Sequence, residues 1–398
     1  MKFLIVSDIH AISGDLFKAK AYGENKPSYC DVESNSPSEN PILSIAESLP
    51  KYRGKIDALL CLGDLAHQAK RLPFAAAWQR LHEVAEQLDI RHVLGVTGNH
   101  DKASRSTDES DLAMQDYGQF ITPSFPSSDK AFNDQYYKAG VASRDINNSR
   151  VICIDTCRLH GLGGEKFKEV FSIGSMTDAM IAKVSKLTTD SLHPTVIIMM
   201  HHHPDKVHPV FDIDDDVMTK GGAMFEELAK IDKKIIVLHG HKHMVAVNYK
   251  PGFMNDIPVL SAASLSCLPY SGDHELSANQ FHIIDLDVAG NSQQKTGEIL
   301  SWEWHVSKWK PSKKDYMTHV VPIGKSANIT NIVQKLRALA PTQFLEKDEL
   351  LNEIPEIEFA TKAQIEEINE KFEGDSKLIS IWMDSGGRLM GLKYEEIR

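Results

Sequence analysis

The chain has 398 residues, which is longer than the roughly 250–300 at which single hydrophobic cores stop growing, so one large and one small domain are expected. Hydrophobic residues at 42% and charged residues at 25% exclude a disordered or fibrous chain and leave an ordinary globular one with a sizeable core. A formal net charge of -11 excludes non-specific coating of nucleic acid, whose affinity comes from Lys and Arg displacing counterions, but not an enzyme that meets nucleic acid through bound cations.

The first predicted element is the apolar run Phe3-Leu4-Ile5-Val6, a strand that Ser7 and Asp8 cut off before it could serve as the core of a signal peptide. No stretch approaches the ~18–20 uninterrupted apolar residues of a membrane helix. The five cysteines, with Cys153 and Cys157 as the one close pair, make no disulfide framework. A cytoplasmic, reduced location without a membrane partner is expected. From Ala11 to about Asn40 the sequence turns to Ser, Asn, Pro, Tyr and Gly, which reads either as a long loop over the end of that strand or as a disordered insertion.

Further predicted strands are Ile56 to Leu62, His92 to Val96, Val151 to Ile154, Thr195 to Met200 and Ile235 to Leu238. Between them, Pro73 to Leu88 has apolar residues at helical spacing, and Ser175 to Leu187 and Gly222 to Ala229 do so more weakly. Short apolar runs alternating with helices are the pattern of an α/β protein with strands buried on both faces. Beyond about Met244 strands continue without helices, at Val259 to Ser261, Phe281 to Leu286 and Ile299 to Val306.

The basic stretch Lys308 to Lys314 reads as a linker, dividing a domain over residues 1–310 from a small α+β domain over 315–398. In the latter, Ile329, Ile332, Val333, Leu336 and Leu339 share a helical face, and Thr361 to Phe372 is a second helix. Leu378 to Met383 and Arg388 to Leu392, flanking Asp384-Ser385-Gly386-Gly387, read as a hairpin. Ten acidic against three basic residues in 346–373 suggest a solvated face or, less commonly, one that binds a protein partner.

The first half carries its chemistry at strand ends. Asp8-Ile9-His10, Gly63-Asp64, Gly98-Asn99-His100-Asp101, His201-His202-His203-Pro204 and Gly240-His241-Lys242-His243 each follow an apolar run. Sites in open α/β sheets are built where strands end at their carboxyl side, so these five groups are able to converge. Taken singly, each is an ordinary turn or a hydrogen-bonded buried histidine; taken together and in order, they form a ligand set. Carboxylate and imidazole donors suit Mn, Fe or Zn. Two such ions ~3.5–4 Å apart need a bridging carboxylate, for which Asp64 is the candidate.

In order and wording these blocks resemble the calcineurin-like metallophosphoesterase family, with its D-x-H, G-D, G-N-H-[DE], H-x-P-type and G-H-x-H motifs. The resemblance implies a four-layered αββα sandwich. It implies one ion held by Asp8, His10, Asp64 and His243, and another by Asp64, Asn99, His202 and His241. The H-x-P spacing before Pro204 selects His202, whereas strand alternation also permits His201. His100 is the candidate general acid, with Asp101 placed to orient it or raise its pKa. His239 reads as packing, and Asp155-Thr156 as support for the site. His67 stands where purple acid phosphatases carry an iron-binding tyrosine, and is either a substrate contact or an exposed helix residue. The acidic group Asp212, Asp214, Asp215 and Asp216 reads as a solvated loop.

The expected reaction is hydrolysis of a phosphate ester by hydroxide shared between two divalent cations. The arrangement most resembles class III cyclic nucleotide phosphodiesterases, which implies a nucleotide or cyclic nucleotide diester as substrate. A DNA or RNA nuclease or a phosphomonoesterase of the same family is the enzymatic alternative, and a metal-binding scaffold the alternative of another class. Specificity is expected in Ala11 to Asn40, in Ser104 to Asp134 and in the C-terminal domain.

Overall fold

The computed structural model describes residues 1–13, 27–102, 117–160, 173–206, 217–253, 255–268, 278–286, 296–315, 317–339, 344–373 and 377–396. Its strands begin with β1 (Lys2–Val6), β2 (Ala58–Cys61), β3 (His92–Gly95), β4 (Val141–Ile146), β5 (Ser149–Ile154) and β6 (Thr195–Met199). They continue with β7 (Lys234–His239), β8 (Ala246–Lys250), β9 (Ile257–Ser261), β10 (Gln280–Asp285), β11 (Gly297–His305) and β12 (Lys308–Pro311). The last are β13 (Lys313–Lys314), β14 (Met317–Thr318), β15 (Val320–Ile323), β16 (Phe344–Glu346), β17 (Lys377–Met383) and β18 (Leu389–Glu396).

Two sheets form the body. The first runs β12-β11-β10-β1-β2-β3, with β15 also paired to β11; the second runs β4-β5-β6-β7-β9-β8. Side-chain alternation along each strand builds four layers. Phe3 and Ile5 face the second sheet, against Cys153, Ile197 and Leu238, while Leu4 and Val6 face the other way onto Trp78 and Leu81 of α1 (Arg71–Gln87). In the second sheet Val151 and Cys153 point inward, and Ile152 and Ile154 meet the helices α3 (Asp178–Thr189) and α4 (Gly221–Leu228). Each such fully buried large apolar side chain contributes about 1.5–3 kcal/mol relative to exposure. The result is the helix, sheet, sheet, helix sandwich that the motif pattern implied.

The strands β1, β2 and β3 of the first sheet and β5, β6, β7 and β9 of the second run parallel to one another within each sheet. One helix and one strand lie outside the expected elements. The helix α2 (Lys130–Ala139) buries only Phe132, Asn133 and Tyr136, and it is held by its caps, the Asp129 carboxylate accepting from the amides of Ala131 and Phe132 and Gly140 closing it at φ 68°. The strand β4 lies at a sheet edge, where Ser143, Arg144 and Asp145 are tolerated.

The basic stretch after His305 is not a linker. Lys308–Pro311 forms β12, antiparallel to β11, because its lysines alternate with Trp309, which is buried and donates from Nε1 to the Pro41 carbonyl at 3.0 Å. The strand β15 then pairs with β11 from Gly297 to Leu300, so the main sheet extends to Ile323. After it, α5 (Ile329–Ala338), α6 (Lys347–Glu353), α7 (Lys362–Glu370) and the antiparallel sheet β16-β18-β17 enclose a core of their own, including Ile332, Leu336, Ile357, Ile368, Phe372, Ile381 and Leu392. No helix of the described residues is long and apolar enough to cross a membrane.

Candidate metal centre

The loops leaving β1, β2, β3, β6 and β7 meet at one end of the two sheets and are stitched together by backbone bonds. Asp8 N donates to Gly63 O at 3.0 Å, His10 N to Asp64 O at 2.9 Å, and Gly240 N to His201 O at 3.0 Å. Five residues of the motif blocks there have left-handed backbone: Asp8 at φ 50°, His10 at 49°, Asp64 at 53°, His241 at 79° and His243 at 58°. Each such conformation costs on the order of 1–3 kcal/mol and persists only where its surroundings enforce it, as at sites that aim side chains at a ligand. Two motif glycines are required by crowding: a Cβ at Gly98 would run into the Asp64 carboxylate, and one at Gly240 into Ser7 and Asp8.

Two groups of donors share Asp64. On one side His10 Nε2 lies 3.0 Å from His243 Nε2, 3.5 Å from Asp64 Oδ2 and 4.0 Å from Asp8 Oδ1, while His243 Nε2 is 3.4 Å from Asp8 Oδ1. On the other side Asn99 Oδ1 lies 3.0 Å from both His201 Nε2 and His241 Nδ1, and His201 Nε2 is 3.4 Å from Asp64 Oδ2. All seven residues are largely withdrawn from solvent. The five scattered sequence blocks therefore face one small space.

The two leading histidines of the triplet both present Nε2 inward. His201 Nδ1 donates to the Leu62 carbonyl at 2.9 Å, which fixes the ring so that Nε2 faces Asp64 and Asn99. His202 Nδ1 is held by Thr156 Oγ1 at 2.8 Å, and its buried Nε2 has no hydrogen-bond partner, with its ring centroid 4.6 Å from that of His241. Thr156 thus supports a site histidine, and its neighbour Asp155 pairs with buried Lys102 at 3.5 Å. His239 is buried beneath the loop, Nδ1 against the Gly240 carbonyl.

His100 and His67 sit at the half-exposed rim. Their rings stack with centroids 5.4 Å apart and planes 24° apart, and the His100 ring is 4.7 Å from that of His10. The His100 amide donates to Asp64 Oδ1 at 2.7 Å. Asp101 directs its oxygens at backbone: Oδ1 accepts from Ala66 N at 3.1 Å and Oδ2 from Gly98 N at 2.9 Å, tying the loop after β2 to the loop after β3. The residues Asp212, Asp214, Asp215 and Asp216 lie outside the described residues, as do 14–26 and 103–116 of the two expected specificity loops.

The charges match a cation site. Burial alone would raise both carboxylates, yet the hydrogen bond and charge of His243, with His201, hold Asp8 at about 2, and the charges of His201, His100 and His10 hold Asp64 well below the carboxylate range. Burial would lower His201, but Asp64 lifts it to about 9. His243 is raised in the same way, against burial, by its contacts with Cys267 and Asp8. Burial pushes His10 and His202 well down, so both are neutral imidazoles with lone pairs. Burial, then the Asp64 charge, pushes Asp101 up to about 7. Without cations, protons on imidazoles balance the buried carboxylates. The orphaned Nε2 of His202, the facing imidazole nitrogens and the oxygen–nitrogen donor set fit divalent cations, and several of these residues fall into groups whose donor atoms lie within 4.8 Å of one another.

Two thiols join this neighbourhood. Cys157 Sγ donates to the Thr97 carbonyl at 3.2 Å and lies 3.8 Å from His202 Nδ1, and Cys267 groups with His10 and His243. Sequence reasoning set all cysteines apart from the ligand blocks, although Cys267 shortly follows β9 and obeys the same strand-end rule.

The described part of the loop at Ala11 to Asn40 is anchored to the segments carrying Ile9 and Ser266. Ser28 Oγ donates to the Ile9 carbonyl at 3.0 Å, and Tyr29 N to Ser266 O at 2.9 Å.

The family model for the calcineurin-like phosphoesterases matches residues 1–245. No curated protein matches the chain. Among solved structures, a dimetal phosphatase from Danio rerio is 12% identical, with 82% of this chain and 99% of that one covered and a TM-score of 0.49. A purple acid phosphatase from yellow lupin seeds is 13% identical, with 82% and 54% covered and a TM-score of 0.45. A putative 5'-nucleotidase from Staphylococcus aureus is 11% identical, with 89% and 58% covered and a TM-score of 0.36. With its five motif blocks inside the matched segment, the chain belongs to the calcineurin-like phosphoesterase family and is a metal-dependent phosphoesterase.

Proposed function

We propose that the protein is a phosphodiesterase acting on a nucleotide or cyclic nucleotide, with Asp8, His10, Asp64 and His243 holding one cation and Asp64, Asn99, His241 and a histidine of the 201–202 pair holding the other. The observation that carries the dinuclear reading is Asp64 Oδ2, 3.5 Å from His10 Nε2 and 3.4 Å from His201 Nε2, between two donor groups. Motif spacing selects His202 for the disputed place, while the contacts of His201 Nε2 with Asp64 and Asn99 support His201. Mn, Fe and Zn all suit these donors. A diester is favoured by the likeness of the motif order to cyclic nucleotide phosphodiesterases.

When bound, a cation pair lowers the pKa of water and screens the charge on phosphorus. Asn99 is a neutral donor and adds no charge to repel an anionic substrate. Water adds to phosphorus as the bond to the leaving ester oxygen breaks, and His100, at the rim beside His10, is placed to give that oxygen a proton. His67, stacked on His100, extends the same imidazole surface toward substrate. Asp101 keeps His100 in place through the backbone, by joining the two loops that flank it.

The test is turnover by the manganese-loaded protein of a bis-aryl phosphodiester, an aryl phosphomonoester, cyclic nucleotides and single-stranded DNA. A diester and cyclic nucleotide preference supports the proposal. Monoester preference makes the protein a phosphatase, DNA preference a nuclease, and no turnover with a captured protein partner a scaffold.

A division into a catalytic body and an accessory unit accompanies this reading. The boundary expected between residues 310 and 315 moves past Ile323, because β15 completes the edge of β11. The accessory unit is proposed to guide substrate or bind a protein partner. Five free, buried thiols support a reduced, cytoplasmic setting.

A further inference from the structure

Cys267 is the one thiol packed against the donors proposed for the first cation. Its sulfur and one ring nitrogen each of His10 and His243 lie within 4.8 Å of one another, and its side chain is in hydrogen-bond contact with His243. The segment that carries it is fixed to the Asp8 loop from several sides. Leu265 N donates to Ser7 O at 2.8 Å, Ser264 Oγ to Asp8 O at 2.6 Å, and Cys267 N to Ser264 Oγ at 2.7 Å. The Cys267 carbonyl accepts from Asn279 Nδ2 at 2.8 Å, and residues 27–29 pair along its other side. The sulfur is therefore held by backbone at a set distance from the metal donors, which is how a rigid scaffold presents a ligand. His10, only 2% exposed, also keeps Nδ1 without a hydrogen-bond partner in this cluster.

We propose that the Cys267 sulfur joins His10 and His243 on a thiophilic cation in the first-ion site, which biases that position toward Zn²⁺ or Co²⁺ over Mn²⁺. This rests on the reading that Asp8, His10, Asp64 and His243 hold a cation. As the sulfur–metal bond forms, the thiol proton passes to solvent, and no oxidation state changes. Hard cations such as Mn²⁺ gain little from sulfur, so a sulfur donor would make the first ion position softer.

The test uses full-length protein loaded with Co²⁺. Two cobalt ions per chain with a near-ultraviolet sulfur-to-cobalt charge-transfer band, lost in Cys267→Ser, is the expected result. Cobalt retention against a chelator is also expected to weaken by about 10-fold or more in that variant. Two bound cobalt ions without the band overturn the role of Cys267 and leave the dinuclear site standing. No bound cobalt removes both. Should Cys267→Ser fail to fold, wild-type protein decides: cobalt is expected to slow alkylation of Cys267, mapped by mass spectrometry, and an unchanged rate overturns the proposal.

Discussion

The body and the C-terminal unit are built by the same burial of apolar side chains, yet they differ in how buried polar residues are arranged: converging on one small space in the first, paired off singly in the second. In the body, Asp8, Asp64 and His201 to His203 are buried, and five site residues adopt left-handed backbone. In the described part of 327–392 the hydrophobic core is apolar and glycine alone has positive φ, while the buried Glu356 is paired with Lys335 at 2.7 Å and Asn331 at 2.6 Å. Strain and buried charge oppose stability, so a protein keeps them where they do chemistry. Buried carboxylates and left-handed side-chain-bearing residues coincide at the proposed cation site.

Experiments can break or sharpen that contrast. The largest effect is expected from Asp64→Asn, which removes a charge from both donor groups. Turnover should fall by well over the roughly 10–100-fold that loss of a supporting partner costs, and elemental analysis should show fewer than two ions per chain. Near wild-type activity with two bound ions would undo the shared-carboxylate reading. His100→Asn comes next, with kcat down about 10²–10⁴-fold and metal content unchanged, as loss of a proton donor requires. A loss of metal instead would make His100 a ligand.

On the other side of the comparison, Phe372→Ala should destabilise the C-terminal unit by about 3 to 5 kcal/mol, read by denaturant unfolding, with kcat/KM on a small diester within about twofold of wild type. Parallel collapse of activity would mean that the two regions fold as one. The smallest effect is a difference in acid sensitivity. Burial holds His282 at about 3 and His82 at about 4 in the folded body, below the ordinary value near 6.5, and no histidine follows His319. Their folded pKa values are lowered, so the unfolded chain binds more protons. The stability they contribute is complete above about pH 6.5 and drains away as pH falls toward 3 to 4. Metal-free protein taken from pH 7 to pH 5 should lose stability in the body more than in the histidine-free unit, and His282→Gln should flatten part of that slope.

Much of the body was legible because periodicity and strand-end chemistry agree there. The runs at Phe3, Leu59, Val93, Ile197 and Ile236 are strands, and the motif residues that follow them meet. What escaped was short or polar. The helix at Lys130 has ten residues with a narrow buried face of Phe132, Asn133 and Tyr136, and β4 is a polar edge. The stretch Lys308 to Lys314 reads as a linker by its lysine count, whereas the alternation of Trp309 with its neighbours makes Lys308–Pro311 a strand. Proximity across sequence is a different difficulty. The contact of Cys267 with His243 and the clamp from Asp101 to Ala66 arise from three-dimensional packing, to which no local pattern points.

The pairing of Val320–Ile323 with Gly297–Leu300 governs how the molecule can be shortened. Cut ahead of that segment, and half of one flank of β11 would stand bare, with amides and carbonyls free to recruit another copy. Truncations meant to isolate the hydrolase should therefore end beyond Ile323, and insoluble shorter versions would report a stripped sheet margin, not a need for the distal unit.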